Sequence, residues 1–208
     1  MYKPNRVLFL AAHPDDELGA AGTLHKFNRQ GSKVSYAVFS NCIEDSWELG
    51  LNPSILIREM NEVLDILRIS INDRYRMYYK ARNFPQHRQS ICDEMFNLNK
   101  TLNPDLVIVP NTKDVHQDHC VIRDEARRAF RHCSIFGYES VRAPLGPDNL
   151  CFMQLESVDF IAKEEVMKCY ETQGSRIDIE LRAYLSRVRG SQVGYKRAEV
   201  FEVIRLCS

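Results

Sequence analysis

Apolar residues of this 208-residue chain fall into short dense runs, separated by longer stretches in which they recur every three or four positions. A dense run bounded by turn residues suits a strand buried on both faces, and the wider spacing suits a helix with one buried side. Arg6 to Ala11 is such a run, and Glu17 to Gln30 follows with helical spacing up to Gly31, a helix stop. Val34, Tyr36 and Val38 with their neighbours predict a second strand. After a polar loop, Ser40 to Leu51, Asn52-Pro53 opens a helix whose apolar side carries Ile55, Leu56, Val63, Leu64 and Leu67. The pattern then predicts a strand over Arg74 to Lys80, a helix over Gln89 to Leu102 stopped before Pro104, and a buried strand from Leu106 to Val109 ending at Pro110. A helix over His119 to Phe130 and a strand over Ile135 to Glu139 complete the body. Beyond a Pro- and Gly-containing loop, Ala143 to Asn149, come a strand-like Cys151 to Phe160, helices over Lys163 to Thr172 and Asp178 to Arg189, and a final strand, Ala198 to Leu206.

Repeated strand-helix-strand units need right-handed crossovers and give an α/β fold: a Rossmann-like, largely parallel sheet with helices on both faces. No linker is long enough to mark a second domain, so residues 1–208 read as one. In such a sheet the ligand crevice lies at the carboxyl ends of the strands.

Charge narrows the partners. Lys plus Arg and Asp plus Glu are both 28, so the formal net charge is zero and there is no electrostatic footprint for duplex nucleic acid. Arg outnumbers Lys 19 to 9, which suits local binding of a carboxylate or phosphate. The apolar runs are too short for a membrane span or a signal peptide. Seven cysteines, odd in number and without a Cys-x-x-Cys pair, argue against a disulfide framework or a cysteine-rich zinc site and for a reducing cytoplasm.

Two segments sit at predicted strand ends: His13-Pro14-Asp15-Asp16-Glu17, and Asp114-Val115-His116-Gln117-Asp118-His119. Each has a plain structural reading. Acidic residues suit a helix N-terminus, and His116-x-x-His119 suits a polar loop turning into a helix. Their joint placement changes the weighing, because consecutive acids facing a second acidic loop repel one another unless a cation neutralises them. Imidazole and carboxylate ligands suit a zinc-type ion, with about three protein ligands and one position left for water.

Ala11-Ala12-His13-Pro14-Asp15-Asp16-Glu17, followed by Gly19 and Gly22, resembles the opening signature of the PIG-L / LmbE-like family of zinc-dependent N-acetylglucosamine deacetylases. His116-Gln117-Asp118-His119 is similar to that family's second motif, and Lys168 to Gln173 and Arg197-Ala198-Glu199-Val200-Phe201 resemble its closing helix and strand. The resemblance implies that His13, Asp16 and His119 bind Zn2+, with Fe2+ or another divalent ion as the cellular alternative. It implies that Asp15 is the general base, and that His116 stabilises the oxyanion and protonates the departing amine. Asp118 is placed to orient an imidazole, or else to cap a helix. The implied partner is a small amino-sugar conjugate; related soluble members often form trimers or hexamers, and the residues themselves leave open whether this chain is a homo-oligomer.

Arg58, in Arg58-x-x-x-Glu62, matches the family's sugar-contacting arginine, the alternative being an exposed intrahelical ion pair. Asp45 and Trp47 are candidates for the substrate rim. Soluble thiol-biosynthesis members tend to place a sugar-binding acid in the region of residues 74–88. This chain instead has Arg74, Arg76, Lys80, Arg82 and Arg88 among Tyr75, Tyr78 and Tyr79. Arg82 and Arg88 are therefore read as binding an anionic group on the substrate, a nucleotide or uronate, against the alternative of a charged edge strand. Asp114, where some members have Tyr, is grouped with them. His25, His87 and His132 have no partner spacing, Cys120 reads as a packing residue, and Gly19-x-x-Gly22 as a close helix-strand contact. Two other functions compete: a non-heme iron oxygenase with a His/Asp/His triad, whose usual jelly roll the α/β pattern opposes, and a non-catalytic sugar-binding module, which would not need Asp15 beside Asp16.

Overall fold

A computed structural model describes residues 3–48, 50, 52–140, 147–173 and 178–207, with only the backbone at Asp45. Strands β1 (Arg6–Ala11), β2 (Lys33–Val38), β3 (Arg74–Arg76), β4 (Leu106–Pro110), β5 (Ser134–Tyr138), β6 (Leu150–Gln154) and β7 (Ala198–Arg205) form one sheet in the order β3-β2-β1-β4-β5-β7-β6. The first five are parallel, and β7 runs antiparallel to both β5 and β6. Helices α1 (Ala21–Arg29), α3 (Pro53–Ile66) and α6 (Ser157–Cys169) cover one face, and α4 (Arg88–Leu102) with α5 (Gln117–Ala129) the other. Two further helices are α2 (Ile43–Glu48) and α7 (Ile179–Ser191).

The unbroken apolar run of β1 follows from that sandwich. Val7, Phe9 and Ala11 point into the α1/α3/α6 core, Leu8, Leu10 and Ala12 into the α4/α5 core, and none of the six exceeds 1% exposure. Helix starts obey local chemistry: Asn52 accepts a hydrogen bond from the Ser54 N–H (3.0 Å) just ahead of α3, whose first residue is Pro53. At the start of α1 the Gly22 and Thr23 N–H groups donate to Glu199 of β7 (3.0 and 2.7 Å), which also takes the Lys163 ammonium (2.6 Å). A carboxylate on a helix N-terminus opposes the helix dipole favourably. Gly19 is needed for a close approach, since a Cβ there would lie 2.7 Å from the Tyr138 ring and 2.9 Å from the Glu139 carbonyl oxygen. At Gly22 a Cβ would meet Leu155 at 2.7 Å, so the pair serves packing as the sequence suggests.

Several boundaries differ from those the sequence suggests. The helix expected over Glu17 to Gln30 is a 3-10 turn, Asp16–Gly19, followed by α1. The polar Ser40 to Leu51 loop contains α2, although Leu51 itself lies outside the described residues. The Arg74 to Lys80 strand pairs fully only to Arg76; Met77 and Tyr79 still donate to the Val38 and Phe39 carbonyls (2.9 and 3.0 Å), and outward residues alternate with inward ones to Lys80. The Cys151 to Phe160 strand stops at Gln154, because the Glu156 N–H donates to Asp159 (3.2 Å) and starts α6 instead. Of the Ala143 to Asn149 loop, residues 143–146 lie outside the described residues.

From β1 the chain winds outward through β2 to β3, then crosses to β4 and winds the other way to β5. The crevice of such a sheet opens where that direction reverses, between the carboxyl ends of β1 and β4. Both His- and Asp-bearing segments leave the sheet there.

Candidate active site

After β1 the chain turns sharply. Asp15 has φ 95° and ψ −10°, a left-handed conformation that costs a non-glycine residue roughly 1–3 kcal/mol and persists only where surroundings enforce it. Asp16 does part of this by accepting from the Ala12 and His13 N–H groups (2.7 and 3.0 Å). The Leu18 N–H donates to the Asp15 carbonyl (3.2 Å), and the Asp15 N–H donates to the Tyr170 hydroxyl (3.2 Å). Tyr170 donates in turn to Glu17 (2.5 Å), as does Tyr36 (3.1 Å). Glu17 is fully buried, and burial pushes its carboxyl up to about 7 against the lowering effect of Tyr170. Asp15 stands at the N-cap of the 3-10 turn with Asp16 and Glu17 in its first turn, as the plain helix-start reading has it, but its side chain makes no capping bond.

At the end of β4 the cap of α5 is His116, not Asp118: its Nδ1 accepts the Asp118 N–H (3.2 Å). In the neutral ring the His116 proton therefore sits on Nε2. Burial, then the neighbouring His119 and His13, hold His116 below the ordinary histidine value. Asp118 is fully buried and accepts from His13 Nε2 (2.9 Å), from the Arg82 N–H (2.6 Å) and from the Phe84 N–H (3.2 Å). Asp114, 6% exposed, accepts from the His116 N–H (2.9 Å) and pairs with His119 Nδ1 (2.8 Å). His119 Nε2 is 3.2 Å from Asp16 Oδ1. Burial alone would lower His119, but Asp16 and Asp114 on its two nitrogens outweigh it and hold it well above an ordinary histidine.

His13, His116 and His119 each offer a ligand atom within 4.8 Å of the others'. Asp118 engages one nitrogen of His13 and Asp114 one nitrogen of His119, the arrangement by which carboxylates fix the tautomer and orientation of metal-binding imidazoles. Together with Asp16 on His119, this donor set of imidazoles and a carboxylate fits a zinc-type divalent cation.

These groups open on a cavity of about 660 Å³, a volume typical of small-molecule sites. His13, Asp15, Asp16, Arg82, Asp114, His116 and His119 line it, while Asp118 supports it from beneath. Arg82 reaches Glu48 at 3.3 Å on the rim. The structure does not bring the other two arginines to the cavity: Arg58, 66% exposed, lies 3.6 Å from Glu62 on its own helix, and Arg88 holds the buried Glu125 (2.6 Å). Asp114 lines the cavity but spends both carboxylate oxygens on His116 and His119. Arg74 to Tyr79 border a separate groove against α4, so the basic and aromatic segment is divided between two faces. Of the suggested rim residues, Trp47 is 71% exposed beside the lining residues Ser46 and Glu48, and the Asp45 side chain lies outside the described residues. Sequence reading missed Glu139, Gln173 and Arg182, which also line the cavity. Glu139 had a signal, since it follows β5, the next strand along the same crevice.

A family model described as PIG-L, GlcNAc-PI de-N-acetylase, matches residues 8–130. The chain belongs to the PIG-L family. That match spans β1 through α5 and includes both segments of the site. Among solved structures, the chain is similar to the N,N'-diacetylchitobiose deacetylase of Pyrococcus horikoshii, at TM-score 0.77 and 17% identity over 97% of this chain and 84% of that one. It is similar to the zinc-inhibited form of teicoplanin deacetylase Orf2, at TM-score 0.76 and 15% identity over 94% and 96% of the two chains. A 4-carboxy-2-hydroxymuconate hydratase, GalB of Pseudomonas putida KT2440, matches as well, at TM-score 0.79 and 16% identity over 98% of each chain. At these identities the likeness is one of fold, and a hydratase shares it with deacetylases.

Proposed function

We propose that this PIG-L family member is a metal-dependent amide hydrolase that removes the acetyl group from an N-acetylated amino-sugar conjugate, releasing acetate and a free amine. The observation that carries the reading is the meeting of three imidazoles and the Asp15–Asp16 pair at one cavity on the switch point of the sheet. In this reading His13, Asp16 and His119 hold the cation, Zn2+ or another divalent ion. A divalent cation bound there supplies Lewis acidity, polarising the amide carbonyl and easing ionisation of a water toward a pKa of about 7.

The remaining work falls to the chain. Asp15, on its left-handed turn, accepts the proton of the attacking water. His116, with a proton on Nε2 in its neutral form, donates a hydrogen bond to the oxyanion, and the proton that Asp15 takes from the water passes to the departing amine, because a neutral imidazole giving up its one proton would be left as an imidazolate. Asp118 and Asp114 keep His13 and His119 in register. Arg82 and Arg182 on the cavity wall take the role of binding an anionic substituent, Arg82 in exchange for Glu48. One sheet carrying both motifs supports reading residues 1–208 as a single catalytic domain. Seven free cysteines support a reducing compartment such as the cytoplasm, and none of the described helices is long and apolar enough to cross a membrane.

The test is acetate release from a panel of free, nucleotide-linked and lipid-linked N-acetylhexosamines by protein loaded with Zn2+ or Fe2+. Asp15→Asn should retain fold and metal while turnover falls by about 10²- to 10⁴-fold. Absence of acetate release across the panel, or near-normal turnover in Asp15→Asn, would reject the assignment.

A further inference from the structure

We infer that Tyr170, aimed by Glu17, is a positioning residue for Asp15: its hydroxyl holds the left-handed backbone that presents the Asp15 carboxylate to the cavity. The inference rests on the reading of Asp15 as proton acceptor. Its basis is the hydrogen-bond chain beneath the turn. Distant elements otherwise reach this turn through its side chains, Asp118 at His13, His119 at Asp16 and Tyr36 at Glu17, while the other bonds described for the backbone N–H groups of His13, Asp16 and Leu18 run to near neighbours. The Asp15 N–H reaches across 155 positions to Tyr170, at the carboxyl end of α6.

The Tyr170 hydroxyl has one proton and commits it to Glu17 (2.5 Å), so toward Asp15 its oxygen can only accept. Glu17 sets that direction by accepting the proton on one oxygen, separate from the oxygen that accepts from Tyr36 (3.1 Å). The far end of the chain is anchored too. Thr172, two residues on, donates its N–H to the buried Glu59 of α3 (3.0 Å) and its hydroxyl to the same carboxylate. Tyr170 is itself 1% exposed. A turn that disfavours its own backbone conformation is thus braced against a rigid helix end, which is how strain persists at a site.

Tyr36 provides the control. It is as buried as Tyr170 and donates to the same carboxylate, yet has no described bond to Asp15. Tyr170→Phe should lower kcat by about ten- to a hundredfold, the scale of a small misplacement of a reacting group, on the best substrate of the acetate panel. KM and bound metal should stay within about twofold of wild type, and Tyr36→Phe should cost kcat no more than about twofold. In an Asp15→Asn background, Tyr170→Phe should cause no further loss. Wild-type kcat in Tyr170→Phe, an equal loss in Tyr36→Phe, or losses that multiply in the double variant would overturn the inference while leaving Asp15 as base. Turnover retained in Asp15→Asn alone would overturn both. Amide exchange in the wild-type protein gives an answer even if Tyr170→Phe does not fold: the Asp15 N–H should exchange slowly, and exchange at the rate of an unprotected amide would refute the brace.

Discussion

Replacing Asp118 tests the structural logic of the site without any substrate. Three donors converge on its fully buried carboxylate: His13 Nε2 at 2.9 Å, the Arg82 N–H at 2.6 Å and the Phe84 N–H at 3.2 Å. A buried donor left without an acceptor costs about 1–3 kcal/mol. Phe84 is fully buried and Arg82 lies at the cavity wall, so Asp118→Ala should cost roughly 3–6 kcal/mol, a large part of an ordinary domain's stability. Asp118→Asn keeps the volume and one acceptor oxygen but sets its NH2 against a backbone N–H, so about 1–3 kcal/mol is expected. The same change lets the His13 ring rotate, and loss of a carboxylate behind a metal-binding imidazole typically weakens metal affinity about 10- to 100-fold. Urea unfolding of the metal-free protein measures the first effect as a lowered midpoint at unchanged slope, and titration with Zn2+ against a chelating dye measures the second. Stability within about 0.5 kcal/mol of wild type, together with unchanged Zn2+ affinity, would show that Asp118 neither holds the 82–84 segment nor orients His13.

His119→Ala or Asp16→Ala should lose most of the bound metal, as read by metal analysis after desalting, because each removes a group proposed to hold the cation. Glu199→Ala leaves Lys163 and two α1 N–H groups without their partner and should destabilise by about 3–5 kcal/mol in urea unfolding. Asp159 is buried, which alone would raise its carboxyl, but the hydrogen bonds from Arg29 and His25 outweigh burial and hold it below the ordinary aspartate value. Its stabilisation is then full above the unfolded-state pKa near 4 and lost as pH falls through the lower folded value. The stability gap between wild type and Asp159→Asn, followed by unfolding from pH 7 to 2, should shrink on the acid side and nowhere else.

What the chain determines locally was legible without the structure. Apolar runs such as Leu8 to Ala11 and Leu106 to Val109, too short for an ordinary helix, read as strands buried on both faces, and Asn52-Pro53 or Gly31 mark helix ends by backbone chemistry. Strand order follows less directly, yet the rule that crevices open at strand carboxyl ends was enough to bring His13 to Glu17 and Asp114 to His119 together. Boundaries failed where a neighbouring side chain competes with pairing, as Asp159 does in starting α6 where a strand was expected.

The partners of charged residues were decided only by the fold. Arg88 could have faced a substrate or Glu125, and Asp114 a sugar or His119; nothing within a few residues distinguishes these, because the competing groups come from other elements. The same holds for Tyr170, whose contact with Asp15 joins positions 155 apart. A side chain's periodicity reports which face of an element it occupies, whereas its hydrogen-bond partner depends on what packing places within about 3 Å of it, and that distance exists only once the sheet and its two helical layers have closed.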